Sequence, residues 1–212
     1  MLLLNATSLH KTNALQHLAA ELKHINSDFG FIVETWFKCD DDALVSIDDY
    51  VLFRHDRFCG IRRHGGAVCI YAKTGTVCSV LTPVPSADNI IEILWLHSYF
   101  GRNEFIFVLC YHPPDPGYVT SAFVEFISSS IDVLSSLYPA AVICILGHFN
   151  HLDTTFLLCE FGLIQIVDTQ TYSNNLIDKV FLNVPDVYTS IVFKSLVKTK
   201  HQTVLVVPCD YK

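Results

Sequence analysis

The chain has 212 residues, 51% of them hydrophobic and 17% charged, with a formal net charge of −7 at neutral pH. That content suffices for one sizeable core without disulfide or metal staples. The acidic balance excludes a broadly basic nucleic-acid coat, and no apolar run approaches the ~20 residues a transmembrane helix needs.

Leu2 to Leu4 read as a short strand ending at Asn5, without the basic start or length of a signal peptide. From Thr12 to Ile25, Leu15, Leu18, Ala19, Leu22 and Ile25 recur at helical spacing. Phe29 to Val33 predicts a buried strand, followed by Glu34-Thr35-Trp36. Acidic Asp40-Asp41-Asp42 opens a loop, and Tyr50 to Phe53 reads as another strand. Arg54, Arg57, Arg62 and Arg63, with His55 and His64, form the one concentrated basic stretch, either a solvated loop or a phosphate-contacting one. Gly65-Gly66 punctuates the entry to a strand over Ala67 to Tyr71. Val77 to Leu81, Ile90 to Ser98 and Glu104 to Tyr111 read as further strands, the last stopped by Pro113-Pro114.

Val119 to Leu137 predicts an amphipathic helix, with Ala122, Phe123, Phe126, Ile127, Val133 and Leu134 mostly on one face. The apolar run Ala141 to Leu146 then delivers Gly147-His148-Phe149-Asn150 at the end of a buried strand. Thr154 to Phe161 suggests a short helix with Gly162 placed as its C-terminal cap. Leu163 to Val167, Ile177 to Leu182, Val187 to Phe193 and Gln202 to Val207 complete a strand-rich second half. Many strands with a few long helices predict an α/β (α+β) architecture of two packed sheets with helices outside. The lack of a linker, low-complexity tract or internal repeat predicts a single domain over 1–212.

None of the eight cysteines forms a Cys-x-x-Cys pair, and Cys69, Cys78, Cys110 and Cys144 lie in apolar segments. Reduced thiols, and hence an intracellular home in nucleus or cytoplasm rather than secretion, are the expectation. Trp36 and Trp95 are expected to pack in the core or on a sheet. Cys209 and His112 carry no assigned role.

Polar groups recur at the strand ends: Asn5, Glu34, Tyr111, His148, Asn150, Asp178 and His201. In this order they resemble the endonuclease/exonuclease/phosphatase superfamily, and more narrowly the endonuclease domain of non-LTR (LINE-type) retrotransposons. The matching pieces begin with Asn5-Ala6-Thr7-Ser8-Leu9, Glu34-Thr35-Trp36, Phe53-Arg54-His55-Asp56-Arg57 and Gly65-Gly66-Ala67-Val68. They continue with Tyr111-His112-Pro113-Pro114, Gly147-His148-Phe149-Asn150, Gly162-Leu163-Ile164-Gln165 and Ile177-Asp178-Lys179-Val180-Phe181.

This resemblance implies a four-layer α/β sandwich, two packed mixed β-sheets flanked by helices, slightly trimmed at the N-terminus. It also implies Mg²⁺-assisted (or Mn²⁺-assisted) phosphodiester hydrolysis that nicks DNA. Glu34 would hold the metal with Asn5 close by, as a hard cation with few side-chain ligands requires. Tyr111 and Asn150 would orient phosphate and water, and His201 would serve the phosphoryl oxygens with Asp178 fixing its tautomer.

Two positions depart from the family pattern. Where the family has a water-aligning aspartate, this chain has His148, and the family's Ser-Asp-His appears as Thr199-Lys200-His201. Loss of a positioned base costs ~10²–10⁴-fold in rate, and Lys200 adds an opposing charge near the metal region. The expectation is therefore impaired catalysis with weakened metal binding. The alternative is a catalytically dead domain that binds nucleic acid or a protein. A separate zinc reading of His148, His151 and Asp153 has no helix to align its ligands. Oligomeric state is not legible.

Overall fold

A computed structural model describes residues 1–38, 44–57, 65–82, 90–100 and 103–210. In chain order its elements begin with β1 (Leu2–Asn5), α1 (Ala14–Ile25), β2 (Phe29–Val33), β3 (Tyr50–His55) and β4 (Val68–Lys73). There follow β5 (Cys78–Leu81), β6 (Glu92–Phe100), β7 (Asn103–Tyr111), α2 (Thr120–Leu137) and β8 (Val142–His148). The last are α3 (Thr155–Phe161), β9 (Ile164–Gln165), β10 (Asp178–Leu182), β11 (Tyr188–Lys194) and β12 (Gln202–Pro208).

Leu2, Leu3 and Leu4 can all be apolar because β1 is central in its sheet and covered on both faces. That sheet runs β11-β12-β1-β2-β4-β3, with β1 and β2 parallel and the other pairs antiparallel. A second six-stranded sheet runs β5-β6-β7-β8-β10-β9, with only β7 and β8 parallel. Both sheets are mixed, as the family resemblance implies.

The inner faces meet in an aromatic layer. Phe107 packs on Phe29 and Phe31 at centroid distances of 4.9 and 5.0 Å, with Leu3, Val33, Phe105 and Leu109 around them. On the outside, Leu18 and Leu22 of α1 cover Leu2, Leu4 and Ile32. Phe123, Ile127 and Ile131 of α2 cover Ile106, Val108 and Ile145 on the other sheet. The result is the expected four-layer sandwich. Trp95 packs edge-on against Phe126 in the α2 layer, whereas Trp36 is half-buried in the loop after β2.

The expected strand over Leu163 to Val167 shrinks to Ile164–Gln165. The Gln165 side-chain oxygen takes the Val167 amide hydrogen and turns the chain out of the ladder. No described helix is long and apolar enough to cross a membrane.

Candidate active site

Strand register assembles the site. β7 and β8 pair in parallel with Tyr111 opposite His148, and β10 pairs antiparallel with Asp178 opposite the same His148. Three polar side chains therefore stand in one row across adjacent strands, on the inner face where residues two apart share a side. In the other sheet, Asn5 pairs with Val33, which brings Asn5 beside Glu34. His201 enters from the start of β12, bridged to Tyr172.

These elements enclose a cleft of about 880 Å³. Glu34, Tyr111, His148, Asn150 and His201 line it, while Asn5 and Asp178 lie buried just behind. All seven residues read from the strand ends are thus brought to one place.

At its floor is a carboxylate shared by two imidazoles. His148 Nδ1 lies 2.8 Å from Asp178 Oδ1, and His201 Nδ1 lies 2.9 Å from Asp178 Oδ2. Burial alone works to raise the Asp178 pKa, but hydrogen bonds and charge from both rings hold it down at about 2. An ionised carboxylate only accepts, so both Nδ1 atoms carry hydrogen and donate. Burial also works against a charged His148, yet the bond and charge of Asp178, helped by Glu34 and Asn150, outweigh it and raise its pKa. His148 therefore keeps its proton to higher pH than an ordinary histidine.

The surroundings fix these groups. The Asp178 amide donates to Thr171 Oγ1 at 3.0 Å, Tyr111 stacks on His148 at 5.7 Å, and Tyr172 packs on His201 at 4.6 Å. Asn150 Nδ2 donates to the His112 carbonyl at 2.6 Å. Burial, then the charges of Glu34 and Glu92, push the Tyr111 phenol up, so it stays protonated and hydrogen-bonds Glu34. Thr7, Glu34 and Asn150 hold left-handed backbone, at φ 47°, 53° and 46°. Strain of this kind persists only where surrounding structure over-determines it. Here the Ser8 amide donates to the Glu34 carbonyl at 2.7 Å and the Leu9 amide to the Thr35 carbonyl at 2.9 Å.

The oxygens expected to face a metal are largely committed. Asn5 presents Nδ2, a donor, to Glu34 Oε1 at 2.9 Å, and its Oδ1 already accepts from the Thr7 amide and hydroxyl. Both Asp178 oxygens are taken by histidines. The zinc reading of His148, His151 and Asp153 is not assembled. Among the described residues the one cluster of three such groups is His148, Asp178 and His201, whereas Asp153 accepts the Thr155 amide hydrogen at 2.9 Å.

In the described part of the basic stretch, both arginines are paired with carboxylates. Arg57 makes a two-pronged pair with buried Glu92, at 2.9 and 2.7 Å, and sits over the Tyr111 ring at 5.9 Å. Arg54 pairs with Asp56 at 3.0 Å. Arg62 and Arg63 lie outside the described residues. The cations that do line the cleft are Lys11, Lys194, Lys198 and Lys200, of which the sequence singled out only Lys200. Lys11 Nζ donates to the carbonyls of Ala6 (3.1 Å) and Lys198 (2.9 Å), tying the loop before His201 to the end of β1.

No protein-family model matches the chain, and no curated protein matches its sequence. Solved structures do. The endonuclease domain of TRAS1, a telomere-specific non-LTR retrotransposon, superposes with a TM-score of 0.72 at 17% identity, covering 100% of this chain and 98% of that one. A Leptotrichia buccalis protein of the endonuclease/exonuclease/phosphatase family gives 0.63 at 12% identity, over 98% of each chain. D. rerio TDP2, in complex with a single-strand DNA product, gives 0.63 at 12%, over 96% of this chain and 95% of that one. With two mixed six-stranded sheets packed face to face and a polar cleft at their shared edge, this chain has the endonuclease/exonuclease/phosphatase fold.

Proposed function

We propose that this chain is a retrotransposon-endonuclease-type domain that engages DNA through its cleft and in which Mg²⁺-dependent phosphodiester hydrolysis is impaired. One observation carries the reading: the imidazole of His148 stands where the resemblance expects a water-aligning carboxylate, and it is clasped by Asp178. A group whose protonated form is favoured is a poor acceptor for the proton of an attacking water, and a missing base costs ~10²–10⁴-fold. The cleft at the sheet edge and the DNA-complexed structure among the fold's relatives support nucleic acid as the ligand.

The residues do not suit a resident Mg²⁺. A hard dication binds through one or two carboxylates plus phosphate and water. Among the described residues Glu34 is the one carboxylate lining the cleft, its Oε1 accepts from Asn5, and Lys11 and a proton-retaining His148 act on it as cations. Weak binding of Mg²⁺ or Mn²⁺ follows. The six described cysteines are free thiols, which supports a reducing compartment, nucleus or cytoplasm.

The test is plasmid nicking in Mg²⁺ and in Mn²⁺ by this chain and by the His148→Asp/Lys200→Asp double variant. The expected result is little or no nicking by the chain itself and a gain of at least ~10²-fold in the variant. Robust Mg²⁺-dependent nicking by the unmodified chain, abolished by Glu34→Ala, overturns the reading.

A further inference from the structure

The mismatch between this cleft and a divalent cation has a consequence for how the cleft holds its ligand. We infer that the cleft grips a phosphodiester without any metal bridge, the rings of His148 and His201 donating to the phosphate oxygens from Nε2. The inference rests on the reading of the cleft as the strand-binding site and adds how the strand is held.

Geometry comes first. Each ring spends Nδ1 on Asp178, and both rings line the cleft. The nitrogen that Asp178 leaves on each is therefore Nε2, a donor whenever the ring is protonated. On His148 a phosphate oxygen would compete with the Asn150 side chain, which also bonds the ring. The two rings lie 5.0 Å apart at 77°, close enough to serve one phosphate group. Their shared carboxylate fixes both orientations from behind, so little ordering is required when the anion arrives.

Charge points the same way. Among the described residues lining the cleft, Glu34 is the one carboxylate, against Lys11, Lys194, Lys198, Lys200 and the two histidines. Asp178 is spent between the imidazoles. Although the whole chain carries −7, this recess attracts anions and opposes a dication. Lys11 is anchored by two carbonyls, and an ammonium has three hydrogens, which leaves one for an anion.

Binding of this kind depends on protons. The groups that face His148 are Asp178 from β10, His201 from the start of β12, Tyr111 and His112 from the end of β7, Glu34 after β2, and Asn150 on its own turn. Asp178 stays ionised and Tyr111 neutral over the range where imidazoles titrate. A loss of affinity over that range therefore reports the histidines.

Fluorescence anisotropy of a labelled DNA oligonucleotide tests this, run with excess EDTA and with excess Mg²⁺ from about pH 5 to about pH 8. Equal affinity in EDTA and Mg²⁺ is expected, falling at least about tenfold with rising pH. His148→Gln is expected to lower the acid-side affinity about tenfold and to flatten the profile. Histidine NMR of the unmodified chain gives a second readout that needs no variant: adding the oligonucleotide in EDTA is expected to move the His148 and His201 rings toward imidazolium. Binding in Mg²⁺ but not in EDTA overturns this inference and leaves the proposed function standing, whereas no binding in either overturns both. A flat pH profile, unshifted histidine resonances or full affinity in a folded His148→Gln protein likewise overturns the metal-free grip.

Discussion

His148 and Asp178 are register partners on adjacent antiparallel strands, and their side chains meet at 2.8 Å with both almost fully buried. The partnership explains how a histidine is accommodated at the end of β8. The neighbouring strand carries a carboxylate at the matching position, on a residue whose backbone amide donates to Thr171 Oγ1, and the ring at 148 meets it. The same contact draws His148 toward its charged form.

Replacing Asp178 by asparagine is expected to reverse the His148 shift. Burial then acts on the ring with only Glu34 and Asn150 opposing it, so its pKa falls. Histidine Cε1–Hε1 titration by NMR reads this directly. Unfolding in urea should show a loss on the order of 3 kcal/mol, the scale for removing one partner of a buried pair. A His148 pKa unchanged in Asp178→Asn would show that the carboxylate does not govern the ring.

The same pair predicts how stability varies with pH. Asp178 falls from 3.8 to about 2 on folding, so its contribution is present above 3.8 and disappears as pH drops through about 2. That limb is worth on the order of 2 kcal/mol. His148 is raised on folding from 6.5, so its contribution is full below 6.5 and is lost as pH rises through the folded value. Urea midpoints across pH should show both limbs in the native chain and neither in Asp178→Asn.

Much of this site was legible because strand ends are legible. The runs ending at Asn5, Val33, Tyr111 and Leu146 are apolar enough to be central strands, and the polar residues after them must emerge at a common edge once the strands align. What was not legible depends on register and on loops. Tyr172, Thr171 and His112 reach the site through a bridge, a side-chain bond and a carbonyl, none of which leaves a periodic trace. Arg57 looked like part of a basic loop because its charged neighbours are adjacent in sequence, whereas its partner Glu92 is 35 residues away. Lys11 escaped notice for the converse reason, since it is far in sequence from Lys194, Lys198 and Lys200 and meets them only in space.

Gly147 is expected to tolerate no side chain. It holds φ at 148°, and a Cβ there would come within 1.9 Å of the Cys110 carbonyl oxygen on β7. Backbone cannot yield as a flexible side chain does, so β7 and β8 would be forced apart at the point where Tyr111 meets His148. Gly147→Ala should destabilise by more than about 3 kcal/mol and disturb the His148 resonances. Near-native stability in that variant would contradict the close approach of the two strands.

Arg57 and Lys200 should separate stability from binding. Arg57→Met strands buried Glu92 without its guanidinium, and breaking a buried pair costs about 3–5 kcal/mol. Glu92 Oε1 also accepts the Ala67 amide hydrogen, so the damage spreads to the turn before β4. Lys200 is exposed on the rim of the cleft, and Lys200→Ala should leave urea unfolding within about 0.5 kcal/mol of the native chain. Its effect belongs in DNA binding measured against salt. One fewer phosphate contact lowers the slope of log affinity against log salt by about 0.9 on duplex DNA, without changing sequence preference. The reverse pattern, a salt slope carried by Arg57 and a stability cost at Lys200, would place the DNA-facing surface on the basic loop instead of at the lysine-rimmed cleft.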